Sequence, residues 1–143
     1  MAKARTLVTW RTSSSRNGLL IAIVDSGPLF AAVDDKDPDH FRSVELLYRP
    51  DFDLIIPSMV VAEVCYFIAK RLNASVEARF LRSLTAAHVG VESPTRNDWP
   101  LIANLVERYS DFPWAAPTHL SRYERLGTDL ILTLDHRRLG ACA

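Results

Sequence analysis

A chain of 143 residues, 48% hydrophobic and 24% charged, has the composition of an ordinary soluble globular protein and the length for one domain with a real core. Its 17 basic and 17 acidic residues balance, so no global field draws nucleic acid, and any such site must be a local basic patch. No apolar run approaches the length of a membrane span, and the two cysteines, Cys65 in an apolar helical pattern and Cys142 in the tail, show no metal spacing. That usage fits a reducing, cytoplasmic compartment.

Residues 1–18, MAKARTLVTWRTSSSRNG, are basic, rich in Ser and Arg, and free of acids. The apolar run after them leads into the domain and no small-residue cleavage site follows, so they read as a disordered arm and not as a secretory signal. The alternative is a start codon placed too far upstream. The domain is expected over 19–143.

Leu19 to Val24 is short, apolar and rich in β-branched residues, the pattern of a buried strand. Gly27-Pro28 starts a helix. Pro38 to Tyr48 predicts a second, with Phe41, Val44, Leu47 and Tyr48 turned inward. Leu54-Ile55-Ile56 is a second strand closed by Pro57, and Ser58 is placed to cap a helix running to about Leu72. Ser75 to Ala87 predicts a helix with Val76, Phe80, Leu81 and Leu84 buried, and His88 to Val91 a strand. Thr95 to Tyr109 predicts a helix with Trp99, Ile102, Val106 and Tyr109 inward, and Asp129 to Thr133 a fourth strand. Strands alternating with helices imply an α/β sandwich around a mainly parallel sheet, without internal repeat or interdomain linker.

Function in such sheets gathers at the carboxyl ends of strands. Asp25 ends the first strand, Asp135 follows the fourth, and Glu63 lies one turn into the helix after the second. Three carboxylates on one edge repel one another unless protons or a cation neutralise them. Their oxygens suit Mg²⁺, or Mn²⁺, which can orient a water and offset charge on a phosphodiester. Each acid also has a plainer reading. Asp25 can cap the next helix, Asp135 can serve a turn, and Glu63 can sit on a solvated face, paired with Lys70 two turns on.

The segments IVDSGPLFAAVDDKDPDH, IIPSMVVAEVCYFIAKR, YSDFP and YERLGTDLILTLDHRR, in this order and spacing from about Ile21 to Arg138, resemble the PIN-domain ribonucleases, specifically VapC-type toxins of bacterial toxin–antitoxin pairs. The resemblance implies a PIN-like three-layer sandwich and an Mg²⁺-dependent endoribonuclease that arrests growth. It also implies a homodimer and a VapB-type antitoxin whose C-terminal tail occupies the acidic site. The family's acids match Asp25, Glu63 and Asp135 as metal ligands and catalytic groups. Thr133 and Ser26 match its supporting polar positions. Basic residues such as Arg71, Arg137 and Arg138 can meet RNA phosphates or simply line a solvated surface.

The pattern departs from the family in the segment DFPWAAPTHLSRYERLG. Thr118 stands where a further acid belongs, with His119 as its only titratable neighbour, and the stretch before Tyr123 is about two residues short of the family's spacing. Trp114 to Leu120 can be encoded so that a neighbouring frame reads Leu-Gly-Gly-Ala-Asp-Ala-Ser, the family's segment with its aspartate. A local, compensated frameshift is therefore expected, and the family's last strand after Asp135 is expected to be missing. A degenerate toxin that binds its antitoxin without cutting RNA is the alternative. A phosphoacceptor receiver domain fits poorly, since one acid alone ends the first strand and no Lys follows Lys70.

Overall fold

The computed structural model describes residues 15–16, 18–108 and 130–134. Its elements are β1 (Ser15–Arg16), β2 (Leu19–Val24), α1 (Ser26–Val33), α2 (His40–Leu47), β3 (Phe52–Pro57), α3 (Ser58–Arg71), α4 (Ala74–Ser83), β4 (Val89–Glu92), α5 (Asp98–Arg108) and β5 (Ile131–Leu132).

The predicted strands assemble into one sheet. β2 pairs in parallel with β3 on one edge (Ala22 opposite Leu54) and with β5 on the other (Val24 opposite Leu132), and β4 extends the sheet beyond β3. β1 pairs antiparallel with the start of β2 through a turn at Gly18, whose φ of 78° favours glycine. That pairing brings residues 15–16 into the sheet, earlier than the boundary at 19 expected from composition. The sheet captures them because the first half of β2 has a free edge before β5 begins.

Alternation divides the strand residues between two faces. Ala22, Val24, Leu54, Ile56, Leu130 and Leu132 join one buried cluster with Leu29, Phe30, Val60, Val64, Ile68 and Phe80 from α1, α3 and α4. Ile21, Ile23, Ile55 and Ile131 point the other way and are buried as well, as is Ile102 of α5. Right-handed crossovers place α1 to α4 on one face, because β2 to β3 to β4 moves in one direction. The return to β5 reverses that direction, and the buried Ile102 of α5 stands outside the cluster that α1, α3 and α4 share. The result is the three-layer α/β sandwich with a mainly parallel sheet that the sequence predicts. Gly90 belongs to the same packing: a Cβ there would meet the Ile55 side chain at 3.2 Å.

Several helix faces differ from the periodic reading. In α2 the buried residues are Ser43, Leu46 and Leu47, while Phe41 is 84% and Tyr48 70% exposed. Two apolar stripes overlap at Leu47, and packing on α1 selects the one through Ser43. His40, whose Nδ1 lies 2.8 Å from the Ala31 carbonyl oxygen at the end of α1, helps hold that rotation. In α5, Ile102 is buried, but Trp99 and Val106 are exposed; Tyr109 lies outside the described residues. In α4, Phe80 is buried and Leu81 exposed.

The caps differ too. Ser58 is the first residue of α3, not its cap, because Pro57 carries the strand directly into the helix and no intervening residue remains. Asn73 caps α4, accepting from the Val76 N–H at 3.1 Å. Cys65 is half-buried against the core, and burial first, then the Glu77 carboxylate, push its thiol up from the usual range.

Candidate active site

The strand order puts the reversal of direction between β2 and β5. In parallel sheets the crevice at such a point, at the strands' carboxyl ends, is where sites form. Asp25 stands there, directly after β2. Its backbone N–H donates to the Leu132 carbonyl at 3.0 Å, which ties it to the end of β5.

Both oxygens of Asp25 are engaged. Oδ1 accepts from the Ser26 backbone N–H at 2.8 Å, and Oδ2 accepts from the Thr133 hydroxyl at 2.9 Å, across 108 positions of sequence. The plain reading of Asp25 as a helix cap therefore holds, since it is the N-cap of α1. The bond to Thr133 adds what a cap does not need. Thr133 is fully buried, and one strand position past the Val24–Leu132 pair it lies directly beside Asp25. Ser26 contributes through its backbone; the polar support at this position is an N–H at the positive end of a helix.

Glu63 is half-buried in α3, the helix that leaves the carboxyl end of β3. β3 is the parallel neighbour of β2, with Ile23 opposite Ile55, so Asp25 and α3 start from the same sheet edge. The Lys70 ammonium, proposed from the sequence as a partner for Glu63, donates instead to the Tyr66 hydroxyl at 2.9 Å. Asp135, Thr118, His119, Arg137 and Arg138 lie outside the described residues, as does the segment 114–122. Among the described residues no group of three or more His, Cys, Asp or Glu side chains comes together. The described acids on this side of the sheet are the Asp25 carboxylate, oriented by a hydroxyl and a backbone N–H, and the Glu63 carboxylate of α3. Such hard oxygen donors fit a divalent cation of the Mg²⁺ or Mn²⁺ kind and do not suit a soft metal.

The sequence reading missed an aromatic and cationic ladder. Lys70 lies 5.1 Å from the centre of the Tyr66 ring, and Tyr66 meets Phe67 edge-on at 5.7 Å. Phe67 meets Phe30 of α1 at 6.0 Å, and the Arg71 guanidinium covers both, 5.4 Å from Phe67 and 5.6 Å from Phe30. The spacing Tyr66–Lys70 and Phe67–Arg71, each i to i+4 on a helix, was the available signal.

With parallel sheet, switch-point aspartate and buried threonine in place, the class is an α/β protein with a carboxylate held at the carboxyl end of its first long strand. The PIN-domain family model matches residues 22–140, and the chain belongs to that family. It is 29% identical over 121 residues to Ribonuclease VapC26 of Mycobacterium tuberculosis (strain ATCC 25618 / H37Rv), covering 83% of this chain and 90% of that protein. Its fold is similar to the crystal structure of Mycobacterium tuberculosis VapC20, described as a Sarcin-Ricin loop cleaving toxin. That likeness has a TM-score of 0.75 at 15% identity and covers 84% of this chain and 94% of the other. The resemblance to VapC-type PIN ribonucleases drawn from the motifs is thus borne out. Among the described residues no helix is long and apolar enough to cross a membrane.

Proposed function

We propose that this chain is an Mg²⁺-dependent endoribonuclease toxin of a type II toxin–antitoxin pair, with Asp25, Glu63 and Asp135 as its acids. The observation that carries the reading is the hydrogen bond from buried Thr133 to Asp25, which aims a carboxylate at the switch point of a PIN-type sheet. The likeness to a ribonuclease over most of the chain supports it. Asp25 holds one fixed orientation because each of its oxygens has a donor. A divalent cation held by these carboxylates would offset their repulsion, orient a water and stabilise charge on the phosphodiester. A VapB-type antitoxin is the expected partner, a homodimer the expected assembly, and the cytoplasm the expected site of action.

A second reading is favoured by Thr118, which stands where the family carries a further acid. In it the chain binds its antitoxin without cutting RNA.

Induced expression with and without a small neighbouring reading frame, where the gene has one, together with cleavage of total RNA by the purified chain, separates the two. Growth arrest relieved by the neighbour, and cleavage abolished by EDTA, are expected of the toxin. Asp25→Asn should abolish both while changing stability by less than about 0.5 kcal/mol, because Asn caps helices about as well as Asp. Glu63→Gln should raise the Tm of the metal-free protein and reduce the further rise on adding Mg²⁺. Copurification with the neighbour and no cleavage would support the second reading. Restoring Leu-Gly-Gly-Ala-Asp-Ala-Ser across the 114–122 segment should then recover activity.

A further inference from the structure

A ribonuclease must hold an RNA strand, and with a net charge of +0 the strand has to be met by a local surface. The outer side of α3 offers one. Glu63, Tyr66 and Lys70 follow at i, i+3 and i+7, so they share one side of the helix over about 10 Å of its length. Tyr66 is 57% exposed, and Lys70 and Arg71 are exposed beside it.

Lys70 and Arg71 sit in the last turn, where cations ordinarily answer the helix dipole. That role requires no aromatic neighbour and leaves the open Tyr66 ring unaccounted for. Each cation is instead anchored at an aromatic side chain: Lys70 on the Tyr66 hydroxyl, Arg71 over the rings of Phe67 and Phe30. Neither pairs with a carboxylate among the described residues. Arg49 makes the useful contrast. It also lies over a ring, Phe52 at 4.5 Å, but it is neutralised by Asp51 at 2.6 Å. An accessible ring flanked by anchored cations that no described carboxylate neutralises is the composition that holds single strands. Bases stack on the ring, and the cations meet the phosphates.

The geometry points to the Tyr66–Lys70–Arg71 face of α3 as a docking strip for single-stranded RNA, leading along the helix to Glu63. Tyr66 is the stacking residue, and Lys70 and Arg71 contact the backbone. The strip deepens the ribonuclease reading and rests on it for its role in catalysis.

Anisotropy of a labelled, mixed-sequence single-stranded RNA with the full chain in EDTA, across a salt series, tests the strip directly. Tyr66→Ala should weaken binding about tenfold, whereas Tyr66→Phe, which keeps the stacking ring and loses only the hydroxyl that holds Lys70, should weaken it by no more than about threefold. Lys70→Gln and Arg71→Gln should each lower the slope of log affinity on log salt by about 0.7. Affinity of Tyr66→Ala within about twofold of the parent, or no RNA binding by the parent, would overturn the proposal. Sedimentation of Tyr66→Ala supplies the second check. Conversion of a dimer into monomers would mark this face as an interface between copies and overturn the RNA assignment, whereas an unchanged mass supports it. Cleavage of the same RNA with Mg²⁺ is scored separately: RNA bound through Tyr66 but never cut would refute the ribonuclease reading and uphold the strip.

Discussion

The carboxyl end of β2 and the outer surface of α2 are built on opposite terms. At β2, Ile23 and Val24 are fully buried, Asp25 is tied to the Leu132 carbonyl and the Thr133 hydroxyl, and strands far apart in sequence converge. At α2, Phe41 and Tyr48 face solvent, and a groove of about 780 Å³ separates α2 from α4 above β3 and β4. The first region is over-determined, because burial, strand pairing on both sides and three hydrogen bonds to Asp25 act there together. The second keeps apolar side chains in water without loss of the fold. Apolar character therefore says little about position where the helix has two candidate faces, and a great deal where strands are buried on both sides.

Substitutions at graded depths would break or sharpen that contrast. Ile68→Ala, at a fully buried position of α3, should cost about 3 kcal/mol in urea unfolding, since the sheet and α1 cannot collapse onto the gap. A cost under about 1 kcal/mol would mean that the core is as loosely held as the α2 surface. Thr133→Val preserves shape and removes the donor to Asp25. It should destabilise by about 1–2 kcal/mol and depress RNA cleavage further than that loss of stability accounts for. Cleavage equal to the parent would show that the bond orients nothing of consequence. Asn73→Ala removes the α4 cap and should cost about 1 kcal/mol, read as a lowered Tm. Phe41→Ser, at the open end of the comparison, should change stability by no more than about 0.5 kcal/mol, whereas a large loss would show that the exposed face is covered in solution.

The strands were legible in the sequence because burial on both faces leaves continuous apolar runs, as in LLIAIV, and few other structures use them. Asp25 and Glu63 were legible as candidates because an acid next to such a run, or alone in an apolar helix, is costly without a purpose. The alternation of strands and helices determined the class of fold, and the order of the motifs indicated the family. The faces of α2 and α5 were not legible, because two apolar stripes of similar strength compete there and contacts with the neighbouring layers choose between them. Nor was the aromatic and cationic ladder, whose Phe30 comes from a different helix. The pairing of Asp25 with Thr133 waited on tertiary structure for the same reason. A hydrogen bond spanning 108 positions depends on β5 returning to the free edge of β2, and local periodicity carries no record of which strand lies beside which.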